Sequence, residues 1–172
     1  MNQPLKIAIA GLGTVGAGTL ALLAAHGDLL ARRCARRVEV RMISARDRDR
    51  DRGVDLSGFE WCDSALALAE ADVDVVVELI GGEDGVALDL VRAALARGKH
   101  VVTANKALIA HHGGELARAA AAAGVTLSSE AAVAGCIPRS EARPVGEACR
   151  SRGSPLPYTH KHASESRVCR SR

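Results

Sequence analysis

Three glycines, Gly11, Gly13 and Gly16, carry the first sign of chemistry in this sequence. They end the run Leu5-Lys6-Ile7-Ala8-Ile9-Ala10-Gly11-Leu12-Gly13-Thr14-Val15-Gly16 with the spacing G-x-G-x-x-G. Gly11 permits a tight turn, Gly13 leaves room for a pyrophosphate to approach the backbone, and Gly16 lets a following helix pack closely on the strand. The N–H groups of that helix's first turn lack intrahelical partners and can face phosphate oxygens. The spacing alone also fits a structural glycine turn, since the chain holds 17 glycines. The flanks favour the phosphate reading: Leu5 to Ala10 is apolar apart from Lys6, as a strand covered on both faces should be, and Leu20, Leu22 and Leu23 continue as a helix without proline.

A second group of candidates lies further along. Ser44-Ala45-Arg46-Asp47 follows an apolar stretch, where a dinucleotide fold places the adenosine ribose. An arginine there pairs with a 2′-phosphate and an acid with a 2′-hydroxyl, so Arg46 favours NADP while Asp47 leaves NAD open. Arg48 to Arg52 alternates Arg and Asp and reads as a solvated loop of self-neutralising charge. Glu78 stands inside an apolar strand, either as a paired core residue or at the mouth of a sheet. Gly81-Gly82 follows it, at the carboxyl end where open α/β sheets bind ligands. Lys106 fits an ordinary exposed lysine, with Asn105 as a helix cap, as well as a functional charge. His111 and His112 read as surface residues. The five cysteines include no C-x-x-C pair and are expected to be reduced thiols. Cys149, His160, His162 and Cys169 match no standard zinc spacing.

These residues need a scaffold, and the pattern supplies one. Strands are expected at Leu5 to Ala10, Val38 to Ile43, Val73 to Ile80, His100 to Thr103 and Val125 to Ser129. Between them fall a helix after the glycine turn, a short one from Asp63 or Ser64 through Ala71, one over Val86 to Arg97 stopped by Gly98, and one from about Gly114 to Ala123 stopped by Gly124. Alternating strands and helices predict an α/β fold, a Rossmann-type doubly wound parallel sheet with right-handed crossovers.

At 172 residues the chain has room for one domain of ordinary size. Aromatic residues are only 2%, so Ala, Val, Leu and Ile must build the core. Met1 to Pro4 reads as leading directly into the first strand, without a charged-then-apolar leader, and no apolar run is expected to reach the roughly 18 residues that span a bilayer, so the expected location is cytoplasmic, with no membrane partner. The net charge of +3 is unevenly spread: residues 1–138 hold 15 Lys and Arg against 17 Asp and Glu, and residues 139–172 hold 8 against 3. That basic tail contains one aromatic residue, Tyr158, and no nucleic-acid motif, so nucleic acid is not expected as a partner. It also lacks any apolar period and is expected to be disordered.

Four blocks together resemble homoserine dehydrogenase, in its N-terminal nucleotide-binding domain: Ile9-Ala10-Gly11-Leu12-Gly13-Thr14-Val15-Gly16, Asp74-Val75-Val76-Val77-Glu78-Leu79-Ile80-Gly81-Gly82, Val102-Thr103-Ala104-Asn105-Lys106-Ala107-Leu108 and Ser129-Glu130-Ala131-Ala132-Val133-Ala134-Gly135. They follow the family's order and cover residues 5 to 138. The resemblance implies interconversion of L-homoserine and L-aspartate 4-semialdehyde by hydride transfer with NAD(P), a step towards threonine, isoleucine and methionine. It also implies that Gly13, Thr14 and Val15 form the pyrophosphate turn, that Arg46 contacts the 2′-phosphate, and that Thr103 lies beside the nicotinamide half of the cofactor. Lys106 corresponds to a lysine reaching the cofactor and substrate region. A monovalent cation, usually sodium, would be held through Glu130, Val133, Gly135 and Ile137. A second reading is a non-catalytic NAD(P)-binding or regulatory module.

The resemblance stops after Pro138, and Cys136 replaces the family's second glycine. The family's catalytic acid and lysine, its homoserine-binding acids and most of its homodimer interface fall in sequence that matches nothing here. The implied organisation is a Rossmann domain over residues 1–138 and a basic unmatched tail over residues 139–172, with negligible turnover by this polypeptide alone. The abrupt change to Arg, Ser and Pro predicts out-of-frame or otherwise foreign sequence in the tail. Resequencing the coding DNA is expected to reveal a one- or two-base shift near codon 136 that restores the family's sequence; a DNA without one leaves a divergent tail.

Overall fold

β1 (Leu5–Ala10) shows how the sheet is built: its side chains alternate between two buried surfaces. Ile7 and Ile9 join Leu12, Leu20, Ile43 and Val75 on one face of the sheet. Ala8 and Ala10 join Leu68, Val76, Leu90, Val101 and Leu116 on the other. A strand buried on both faces cannot alternate apolar with polar, which is why the run is apolar throughout. Lys6 is tolerated near its start, where the ammonium pairs with Asp72.

The structure, a computed structural model, describes residues 3–129. β1 is followed by α1 (Thr14–Cys34), β2 (Val38–Ser44), β3 (Glu60–Trp61), a 3-10 turn (Ala65–Ala69), β4 (Val75–Glu78), α2 (Val86–Ala96), β5 (His100–Thr103), α3 (Lys106–Ala123) and β6 (Leu127–Ser128). All pairings are parallel and the strand order is β3-β2-β1-β4-β5-β6, the order of a dinucleotide-binding Rossmann sheet. The order reverses at β1, so the glycine turn leaves the sheet at its centre.

The expected strands are present, and a sixth joins them. β3 is two residues long, too short for any periodicity, and exists because Met42 and Ile43 of β2 offer it an edge. The segment after Ser64 forms a 3-10 turn rather than an α-helix. Ser64 makes no side-chain cap there, and Asp63 accepts instead from the Trp61 indole N–H at 3.0 Å. α3 begins eight residues before its expected start. Gly113 and Gly114 lower helix propensity by about 1 kcal/mol each, but the Asn105 cap and the burial of Leu108 and Leu116 outweigh them. α1 is long and apolar enough to cross a membrane by length and composition, against expectation. His26 and Asp28 interrupt its apolar residues without lowering their mean hydropathy enough to exclude it. Its inner side, Gly16 and Leu20, is buried in the fold.

Gly16 and Gly18 lie one half-turn apart in α1 and predict opposite outcomes. A Cβ at Gly16 would sit 2.0 Å from the Gly11 carbonyl oxygen, whereas one at Gly18 meets nothing within 4 Å. Gly16→Ala is expected to destabilise the fold by about 1–3 kcal/mol through overpacking. Gly18→Ala should stabilise it by about 0.5–1 kcal/mol through helix propensity. Urea midpoints of the two variants check both signs.

Candidate functional site

The glycine turn is shaped by its neighbours as much as by its own sequence. Gly11 has φ +96°, and a Cβ there would lie 2.5 Å from the Leu79 carbonyl, so both backbone angle and close approach of the β4 exit require glycine. Hydrogen bonds from Gly11 N to Ser44 O (2.8 Å) and from Leu79 N to Ala10 O (2.7 Å) hold the strand ends in line. The close contact of Gly16 is with the turn itself, at Gly11, rather than with the strand expected from its spacing. Gly13 is the N-cap of α1, with no side chain capping the helix, and a Cβ there would meet nothing. A bare, open helix N-terminus remains, aimed out of the sheet's carboxyl edge. Thr14 and Val15 follow it, both exposed.

Beside this turn lies a cleft of about 880 Å³ lined by Gly11, Gly13, Ser44, Arg46, Leu66 and Val86, among others. Arg46 is exposed and makes no hydrogen bond or ion pair among the described residues. The Asp47 carboxylate is turned to its own loop, accepting from Asp49 N at 3.0 Å. Leu66 and Val86 are 46% and 56% exposed, leaving two apolar side chains on the cleft wall. Arg48 to Arg52 do not form the self-neutralising loop expected from their charge pattern. Asp51 accepts from Gly53 N at 2.8 Å, and Arg52 donates to Leu12 O in the glycine turn at 3.1 Å. Charge alternation gave no signal for this contact, because the acceptors are backbone carbonyls.

At the carboxyl ends of β4 and β5, Glu78 is 0% exposed. It is both a paired core residue and a group at the sheet's mouth. Its Oε1 accepts from Ile80 N (2.8 Å) and Gly81 N (3.1 Å), and its Oε2 from the Thr103 hydroxyl (2.5 Å). Thr103 Oγ1 accepts in turn from Asn105 N at 3.0 Å. Asn105 caps α3 by accepting from Leu108 N at 3.1 Å and donates its amide to Gly82 O. Gly81 and Gly82 have φ +83° and +91°, so the turn following β4 needs both glycines. The Thr103 hydroxyl is therefore engaged on both sides by protein. Lys106, next to the cap, is exposed and forms no ion pair among the described residues; it does not line the Arg46 cleft.

The loop after Gly82 is pinned to α3. His112 Nε2 lies 2.8 Å from Asp84 Oδ1 and His111 Nε2 lies 3.1 Å from Glu83 Oε2; His112 is half-buried rather than a plain surface residue. Behind them, Arg92 of α2 makes a two-pronged contact to Glu115 of α3 at 2.8 and 2.9 Å. That hydrogen bonding, with the positive charge it brings, holds the exposed Glu115 carboxyl below its usual range.

The family model of the homoserine dehydrogenase NAD-binding domain matches residues 11–130. The chain belongs to the homoserine dehydrogenase family. The homoserine dehydrogenase of Pseudomonas aeruginosa is 47% identical over 137 residues, a match covering 74% of this chain and 29% of that protein. The solved homoserine dehydrogenase of Thiobacillus denitrificans is similar with a TM-score of 0.71 and 38% identity, over 76% of this chain and 30% of that one. A hyperthermophilic archaeal homoserine dehydrogenase in complex with NADPH shares the fold, with a TM-score of 0.60 and 20% identity over 76% of this chain and 44% of that one. The chain thus spans less than a third of the length of its Pseudomonas relative.

Of the residues expected to matter in a homoserine dehydrogenase, Gly11, Gly13 and Arg46 meet at one cleft. Gly13 and Thr14 line its neighbour. Thr103, at the carboxyl end of β5, and Lys106, at the start of α3, stand two strands away from the glycine turn along the sheet's carboxyl edge. The expected cation ligands Glu130, Val133, Gly135 and Ile137 lie outside the described residues, as do the boundary at residue 138 and the basic tail. Among the described residues no cluster of His, Cys, Asp and Glu could hold a metal ion, and Cys34 and Cys62 are free thiols.

Thr103 tests the buried network. Thr103→Val keeps the shape but leaves Asn105 N–H and one Glu78 oxygen without their partner, at a cost of about 1–3 kcal/mol. Thr103→Ser should retain most of the stability. Chemical denaturation that finds Thr103→Val as stable as the parent would remove the network's structural role.

Proposed function

We propose that this chain binds NADP(H) in the cleft between its glycine turn and the end of β2, and that it supplies the cofactor half of a homoserine dehydrogenase. The observation that supports this most is a single cleft that gathers Gly11, Gly13 and Arg46 while no side chain fills the space at Gly13. A pyrophosphate fits there, against the uncapped first turn of α1, where backbone N–H groups and the positive end of the helix favour anions. Arg46, free of protein partners among the described residues, suits a 2′-phosphate, since a guanidinium pairs with phosphate through two parallel hydrogen bonds. Asp47 is less suited to a ribose hydroxyl because its carboxylate already serves its own loop. Leu66 and Val86 offer apolar surface to an adenine ring.

A bound nicotinamide would supply the hydride acceptor or donor for the interconversion of L-homoserine and L-aspartate 4-semialdehyde, a step towards threonine, isoleucine and methionine. The chain's own residues bind and orient. Glu78, Thr103 and Asn105 fix the strand ends over which a nicotinamide would lie. The Lys106 ammonium would stand towards negative charge developing on a substrate oxygen. A sodium ion held through Glu130, Val133, Gly135 and Ile137 belongs to the same reading.

Calorimetric titration of the 172-residue protein with NADPH and NADH at matched salt tests it. NADPH is expected to bind more tightly, and Arg46→Ala to weaken NADPH roughly tenfold or more while leaving NADH nearly unchanged. Absence of binding by either nucleotide would sink the proposal.

A further inference from the structure

The loop between β2 and β3 contains four arginines, yet none of the ion pairs among the described residues lies within it. Its aspartates fold onto backbone N–H groups instead. Asp47 accepts from Asp49 N, Asp51 from Gly53 N and Asp55 from Ser57 N, at 3.0, 2.8 and 2.9 Å. The arginine that organises the loop is Arg52. Its Nη1 donates to Arg50 O at 2.7 Å and to Arg48 O at 3.5 Å, and its Nη2 donates to Asp47 O. Its Nε reaches across to Leu12 O, between Gly11 and Gly13, at 3.1 Å. The guanidinium carbon lies 5.7 Å from the centroid of the Trp61 ring, and that of Arg48 lies 5.8 Å from it.

One planar, donor-only group thus binds carbonyls from two loops that do different work in the proposed site. Leu12 belongs to the turn that would hold the pyrophosphate, and Asp47 follows Arg46, which would hold the 2′-phosphate. A guanidinium presents five N–H donors in a fixed fork, so these carbonyls are held in one arrangement. We propose that Arg52 is a positioning residue that couples the glycine turn to the Arg46 loop, setting the affinity for the dinucleotide as a whole, while Arg46 sets the difference between NADPH and NADH. This rests on the cleft being a dinucleotide site. It goes beyond that reading by assigning the coupling to a side chain that donates only to protein carbonyls.

The test uses Arg52→Lys and Arg52→Gln in the 172-residue chain, titrated with NADPH and with NADH and followed by thermal unfolding. Lysine keeps the charge, but a single ammonium cannot span both loops. Both variants are expected to lose roughly tenfold in affinity for both nucleotides, with the NADPH to NADH ratio nearly unchanged and the unfolding temperature close to the parent's. Emission of Trp61, the only tryptophan, should change in the free variants as the guanidinium leaves the ring. A loss confined to NADPH would make Arg52 a direct phosphate ligand and overturn the coupling, as would unchanged affinity for both. A parent chain that binds neither nucleotide would remove the dinucleotide reading itself, and this proposal with it.

Discussion

A carboxyl group buried in a strand of valines is costly unless its oxygens are fully engaged. Glu78 meets that condition by accepting from two backbone N–H groups on its own chain exit and from the hydroxyl of the neighbouring strand. The other geometry at the carboxyl edge follows from this. Holding Ile80 N and Gly81 N turns the chain sharply after β4, which gives Gly81 and Gly82 their positive φ and brings Gly82 O to the Asn105 amide. Holding Thr103 Oγ1 lines up the acceptor that Asn105 N needs, and Asn105 then starts α3. One side chain therefore registers two strands, a turn and a helix.

The glycine turn depends on the same strand exit. Leu79 and Ile80 pass so close to Gly11 that no Cβ fits between them, and Leu79 N is bonded to Ala10 O. The path fixed by Glu78 is thus one wall of the turn, and Gly16 packed against Gly11 is another. On the remaining side Arg52 grips Leu12 O. The turn is left open at Gly13, where a Cβ would meet nothing within 4 Å.

Much of this was legible in the sequence, for identifiable reasons. Strands buried on both faces write themselves as apolar runs, so β1 and β4 could be read from Leu5–Ala10 and from the run Val73 to Ile80, while β2 and β5 were read from the β-branched and apolar residues Val38, Val40, Ile43, Val101 and Val102 although each leaves residues exposed. Positive-φ helix stops announced themselves as Gly98 and Gly124. Elements made by tertiary context were not legible: β3 depends on the edge offered by β2, and the first turns of α3 depend on a cap and burial that outweigh two glycines. In the site, Gly11, defined by a backbone demand, and Gly13, which leaves open space at the start of α1, were identified from their spacing, and Glu78 was singled out by being charged among valines. Arg52 was missed because its partners are carbonyls, which have no letter in the sequence.

The strand order has a consequence for how the molecule comes into being. β1 is synthesised first but sits at the centre of the sheet, and its partner on one side, β4, begins at Val75. At a translation rate of about 5–20 residues per second, Ile7 and Ile9 wait several seconds for that neighbour. Closing so long a span carries an entropic cost before any contact offsets it. During that interval the nascent chain presents an open apolar edge beside β1, the kind of surface on which chains mispair. Leu79 and Ile80, the wall against which Gly11 is seated, arrive with β4. The glycine turn, although encoded among the first sixteen residues, acquires its shape late, when the fourth strand docks.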